Sequence, residues 1–140
     1  MRHHSILRAV TKFFLPYILL FALYTQFHGD YGPGGGFQAG VIFAAAIILY
    51  GLIFTPKLAR RVVPYRAVYI FMALGILLYA GVGIATILLG GNYLDYNALN
   101  HHHPVHGQHL GILLVELGVG ITVAAVVICI YYAFADRLES

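Results

Sequence analysis

The chain has 140 residues, of which 61% are hydrophobic and only 9% charged, with a formal net charge of +3 and a single cysteine. A water-soluble domain of this size carries roughly a quarter charged residues, so a mean hydropathy of +0.84 excludes that class and implies an integral membrane protein. The pI near 9.1 comes from cations scattered between apolar runs rather than from a basic stripe, so nucleic acid is not an expected partner.

Four apolar segments are long enough to span a bilayer core of ~30 Å as helices. They run over approximately Ile6–Phe27, Phe37–Phe54, Ala67–Gly90 and Leu110–Phe134. Strand-like alternation is absent, which argues against a β-barrel. The expected fold is therefore all-α, one membrane domain over residues 1–140 with four transmembrane helices. The first run is longer than a signal-peptide core and lacks an A-x-A-like site near Ala22, so it is expected to be retained.

The basic residues set the expected orientation. Arg2, Arg8 and Lys12 precede or open the first span, Lys57, Arg60, Arg61 and Arg66 lie between the second and third, and Arg137 follows the fourth. The other two connections hold no Lys or Arg. This alternation places both termini and the Lys57–Arg66 loop in the cytoplasm, with the loops near 28–36 and 91–109 facing outward.

The first outward loop is dense in glycine: His28-Gly29-Asp30-Tyr31-Gly32-Pro33-Gly34-Gly35-Gly36-Phe37-Gln38-Ala39-Gly40. Such a run cannot continue a helix and frees the backbone to turn sharply or approach a neighbour closely. It leads into the second span, where Gly36, Gly40 and Ala44 recur every four residues. Similar small-residue stripes mark the third span (Gly75, Gly81, Gly83) and the fourth (Gly111, Gly118, Gly120). Small faces on three helices exceed the needs of one four-helix packing, so they are expected to dock other subunits. Tyr24, Phe27, Tyr31, Tyr93 and Tyr96 on one side, and Phe54, Tyr65, Tyr69, Tyr131, Tyr132 and Phe134 on the other, read as interfacial aromatic belts.

Few polar residues interrupt the spans. Glu116 lies about 9 Å into the last one, at 1.5 Å per residue. A carboxylate there is costly to hold charged, so it pairs, binds a cation or carries a proton. Lys12 can snorkel to the headgroups, Thr25, Thr86 and Thr122 can bond back to their own helices, and the Gln38 amide needs partners at the start of the second span. The second outward loop carries His101, His102, His103, His106 and His109. Imidazoles bind zinc or copper, but there is no cysteine and Pro104 breaks helical pairing, so no metal or other cofactor is expected. The milder reading is a set of groups that charge between about pH 5 and 8. His109, seven residues before Glu116, falls on its helix face if the helix reaches that far, which makes the two candidates for an ion or proton pathway. Hydrolase, metalloprotease, P-loop and dinucleotide signatures are all missing, so no catalytic residues and no enzymatic activity are expected.

The run Pro33-Gly34-Gly35-Gly36-Phe37-Gln38-Ala39-Gly40-Val41-Ile42, preceded by His28-Gly29, resembles the signature of the MnhB-like family, the B-type subunits of the Mrp-type multisubunit cation/proton antiporters. The last span, Gly111–Gly120 with its Glu116, is similar to the family's last helix. The resemblance covers nearly the whole chain, though the Asn97–His109 loop shows no family pattern. It implies an accessory subunit of a secondary Na⁺/H⁺ antiporter in a bacterial or archaeal cell membrane, needed for assembly and for part of the Na⁺ or proton route. Its implied partners are Na⁺, H⁺ and other membrane subunits, including large ones related to the antiporter-like subunits of respiratory complex I. Pro33, Gly34, Gly35, Gly36, Phe37, Gln38 and Gly40 are expected to form the loop and helix start that pack against those subunits. Two alternatives remain: an ion-translocating subunit of a membrane-bound hydrogenase or related redox complex, and a purely structural scaffold.

Overall fold

The computed structural model describes residues 5–29, 32–99 and 104–139. Five α-helices follow one another: α1 (Ser5–His28), α2 (Gly36–Ile53), α3 (Pro56–Val62), α4 (Tyr65–Leu88) and α5 (Pro104–Glu139), with a short 3₁₀ turn at Tyr96–Leu99. Of these, α1, α2, α4 and α5 are long and apolar enough to cross a membrane. The four expected spans are thus present.

The last span differs in its limits. The sequence suggests a start at Leu110 and a break at Pro104, whereas α5 begins at Pro104 and runs for 36 residues. Proline is well placed in a first helical turn, where its missing N–H has no partner to lose. His106 and His109 therefore lie on the helix rather than in a loop. At 1.5 Å per residue α5 is about 54 Å long, well beyond a bilayer core of ~30 Å.

The long helices form a curved row in the order α1, α2, α5, α4, each packed on the next, with α1 touching α5 far less than it touches α2. The buried residues of α1, Thr11, Ala22, Thr25 and Gln26, make one narrow stripe at helical spacing, so most of this helix faces outward. In its most apolar window only 11% is buried, against 39% in α2. On the concave side of the row a groove of about 300 Å³ runs along α5 between α2 and α4, lined by Ala39, Phe43, Phe71, Ile121 and Ala124, with Gln26 at one end.

The small-residue stripes are consumed inside the chain, which corrects the expectation that they dock partners. A Cβ at Gly40 would meet the Gly120 carbonyl at 2.6 Å, and one at Gly118 the Gly75 carbonyl at 2.9 Å. Gly83 packs under the Tyr93 ring and Gly111 under Tyr96; of the spanning-helix glycines named above, only Gly81 faces open space. Spacing reveals a close approach but not the owner of the approaching helix.

At the end where α1 starts and α5 finishes, the core gathers Ala44, Ile47, Ala59, Val68, Ala125, Ile128 and Tyr132. Tyr132 and Phe54 are therefore core residues, at 0% and 9% exposure, rather than members of an aromatic belt. The Tyr132 hydroxyl donates to the Val63 carbonyl at 2.8 Å. Beside it Asp136 accepts from the Tyr65 hydroxyl and pairs with Arg60 at 2.5 Å. Together these contacts clasp the α3–α4 corner to the end of α5. Thr55 caps α3, its hydroxyl accepting from the Leu58 N–H at 3.3 Å, with Pro56 opening the helix. At the opposite end, the Thr86 hydroxyl donates to Gly83 O at 2.8 Å and accepts from Leu94 N–H at 3.0 Å, fixing the turn after α4. Burial pushes the Tyr96 phenol up from its ordinary value.

Candidate functional site, a glycine-lined seam around Glu116

The loop between α1 and α2 is short and folds back on α1. The Gly35 N–H donates to the Thr25 carbonyl at 3.2 Å, and the Gly32 N–H to the His28 carbonyl at 3.1 Å. Gly35 holds φ +122° and ψ 175° at the N-cap of α2, a region open essentially to glycine alone. This geometry brings Gly29 and Gly35 together, so that a Cβ on Gly29 would lie 2.9 Å from the Gly35 Cα.

The half-buried Glu116 carboxylate sits against these two residues. Its Oε2 would be 2.8 Å from a Cβ at Gly29, and its Oε1 3.1 Å from a Cβ at Gly35. Gly36 presses on the backbone of the same helix, and a Cβ there would run into the Glu116 carbonyl and lie 3.0 Å from the Gly120 N. The two features isolated separately in the sequence, the glycine run and the intramembrane carboxylate, are thus one site. Absence of side chains in the loop is what gives the carboxylate room.

One turn further along α5, Gly120 faces Gln26 of α1, whose Oε1 would stand 2.5 Å from a Cβ there. The pairs Gly29–Glu116 and Gln26–Gly120 define an antiparallel register across the α1–α5 seam. Gln26 is only 5% exposed, and its Nε2 is buried with no hydrogen-bond partner among the described residues. A buried amide donor without an acceptor costs about 1–3 kcal/mol. Sequence reasoning misses Gln26, although a glutamine two residues from the end of an otherwise apolar run is a readable signal. Thr25, its neighbour, bonds back to the Phe21 carbonyl at 2.9 Å, and Thr122 does likewise to Gly118.

The remaining candidates separate into two groups. Gly35, Gly36 and Gly40 are buried inside the chain, and Gly34 is partly buried, with Thr25 O 2.8 Å from a Cβ there. Pro33, Phe37 and Gln38 instead face outward, Phe37 at 64% exposure. His109 is exposed. Seven positions separate it from Glu116 on one helix, a rise of about 10 Å along the axis. His101, His102 and His103 lie outside the described residues, as do Asp30 and Tyr31. Among the described residues no three His, Cys, Asp or Glu side chains converge as a metal site.

A family model described as a domain related to the MnhB subunit of Na⁺/H⁺ antiporter matches residues 6–129. The chain is 30% identical over 129 residues to the B-type Na⁺/H⁺ antiporter subunit of Alkalihalophilus pseudofirmus, covering 86% of each chain. It is 33% identical over 132 residues, 93% of each chain, to a candidate antiporter subunit, mnhB2, of Staphylococcus haemolyticus. A similar candidate subunit from Staphylococcus aureus strain Newman is 33% identical over 129 residues, 89% of each chain. With the match running from the first spanning helix through most of the last, this chain belongs to the family of domains related to the MnhB subunit of Na⁺/H⁺ antiporters.

Proposed function

We propose that the chain works as an accessory membrane subunit of a multisubunit Na⁺/H⁺ antiporter, and that the Glu116 seam is its contribution to ion or proton passage. It makes and breaks no covalent bonds and is not an enzyme. The observation that carries the reading is the approach of the Glu116 carboxylate to Gly29 and Gly35. The costly charge and the loop built to receive it meet at one point near the end of the spans. A carboxylate in the apolar layer is retained where it exchanges a proton or meets a cation.

The distribution of cations supports an outward-facing seam. Arg8, Lys57, Arg60, Arg61, Arg66 and Arg137 collect at the opposite end of the row, which the positive-inside rule assigns to the cytoplasm of a bacterial or archaeal cell. Pro33, Phe37 and Gln38 present the loop to neighbouring subunits, the large antiporter-like ones included. His109, two turns nearer the start of α5, belongs to the same route, and a water or side chain bridges the leg to Glu116.

The test is Glu116→Gln in the assembled complex. Exchange is expected to fall at least tenfold, about 1.4 kcal/mol or more in the rate-limiting step, while the subunits still co-purify. Wild-type exchange from a correctly assembled variant would sink the reading in favour of a scaffold. Mass spectrometry of what co-purifies with the tagged chain identifies the host complex. Iron–sulfur or nickel–iron subunits would transfer it to a redox-driven complex.

A further inference from the structure

At the basic end of the row, Arg8 and Lys12 stand one turn apart on the same face of α1 and share a single aromatic ring. The Arg8 guanidinium carbon lies 4.9 Å from the centroid of Phe54 and the Lys12 ammonium 5.5 Å from it. Phe54 caps α2 and is itself nearly buried, so the ring is a fixed platform rather than a mobile neighbour. Snorkelling alone accounts for one long cation reaching the interface. It does not account for two held over one ring against their mutual repulsion.

Neither cation has a carboxylate partner among the described residues. At that end the Asp136 carboxylate is taken by Arg60 and Tyr65. Beside Arg8 opens a cleft of about 460 Å³ walled by Gly51, Leu52, Phe54, Thr55 and Tyr131. Further along the span the same side of the helix presents Leu20 and Leu23, each at least half exposed. The corner therefore offers two uncompensated positive charges and a cleft at headgroup depth, continuous with an apolar helix face.

We infer that this corner is a binding site for an anionic phospholipid, its phosphate held by Arg8 and Lys12 and its acyl chains laid along α1. Charge complementarity selects an anionic headgroup over a zwitterionic one. The adjoining apolar face selects a lipid over free phosphate. The site is independent of the Glu116 seam and stands whether or not that seam conducts.

The chain contains no tryptophan, so Phe54→Trp places one fluorophore in the full-length purified chain, directly beneath both cations. In neutral mixed micelles, brominated phosphatidylglycerol is expected to quench it at a far lower mole fraction than brominated phosphatidylcholine. With each surface cation contributing a factor of about five, the preference is about 25-fold at low salt. Arg8→Gln with Lys12→Gln in the same background is expected to abolish it. Native mass spectrometry of the unsubstituted chain with equimolar phosphatidylglycerol and phosphatidylcholine gives a second reading that does not depend on how the Phe54→Trp variant folds. Equal quenching and equal adducts by the two lipids would overturn the proposal. So would a preference that survives the double substitution, or displacement of the lipid by millimolar inorganic phosphate.

Discussion

Gly35 and Gln26 are where single side chains carry the most consequence. At φ +122° any residue with a Cβ is strained, and strain of this kind costs about 1–3 kcal/mol. Gly35→Ala is expected to lower the melting temperature of the chain itself, before any effect on assembly, and circular dichroism of the purified chain checks this. Gly35→Leu would additionally drive atoms into the Glu116 carboxylate. Gln26→Leu is expected to act in the opposite sense on stability. It removes a buried donor that has no acceptor among the described residues, so the melting temperature should hold or rise. If the seam carries protons, exchange by the assembled complex should fall severalfold in the same variant. Normal exchange would show Gln26 to be a bystander. The glycine run and Glu116 were both legible in the sequence, but their meeting was not. Nothing in the spacing of residues 29, 35 and 116 states that a folded-back loop reaches α5. Gln26 escaped because, near the end of a span, a polar residue reads as the approach to water.

Among the elements, α5 departs furthest from what hydropathy conveys. Its first two turns are polar and rich in histidine, so an apolar window starts late and misses them. Pro104 reads as a breaker until it is seen in the first turn. Small-residue spacing on α2, α4 and α5 was legible as close packing, yet, Gly81 apart, the partner is a helix or ring of the same chain. The clasp at the other end of α5 makes a graded prediction. Tyr132→Phe leaves the Val63 carbonyl without its donor in the core and is expected to destabilise the chain by about 1 kcal/mol. Asp136→Asn breaks a pair whose acidic member is half-exposed and is expected to cost less. Thermal unfolding in one detergent compares the two, and a larger loss for Asp136→Asn would mean that the ion pair, not the tyrosine, holds the α3–α4 corner.

For the whole molecule, four spans and the segregation of charge followed from composition alone, because a bilayer imposes both. The order of the helices did not, since apolar residues facing lipid and apolar residues facing protein look alike. Most of α1 is uncovered, and Phe37 projects from the seam end of the row. Phe37→Cys is accordingly expected to react readily with a maleimide in the isolated chain and severalfold more slowly in the assembled complex. Equal labelling in both would remove the loop from the subunit interface.

A row of helices has two flanks and no lumen. With neighbouring axes about 8–10 Å apart, the sheet of helices is a single helix thick at α5, and the carboxylate of Glu116 is never more than one helix from either flank. Such a partition cannot insulate a charge by itself. If an ion visits the seam, the glycine loop and α5 of this chain make one wall of its route and whatever stands beside the row makes the other, so that route is a property of a boundary between proteins.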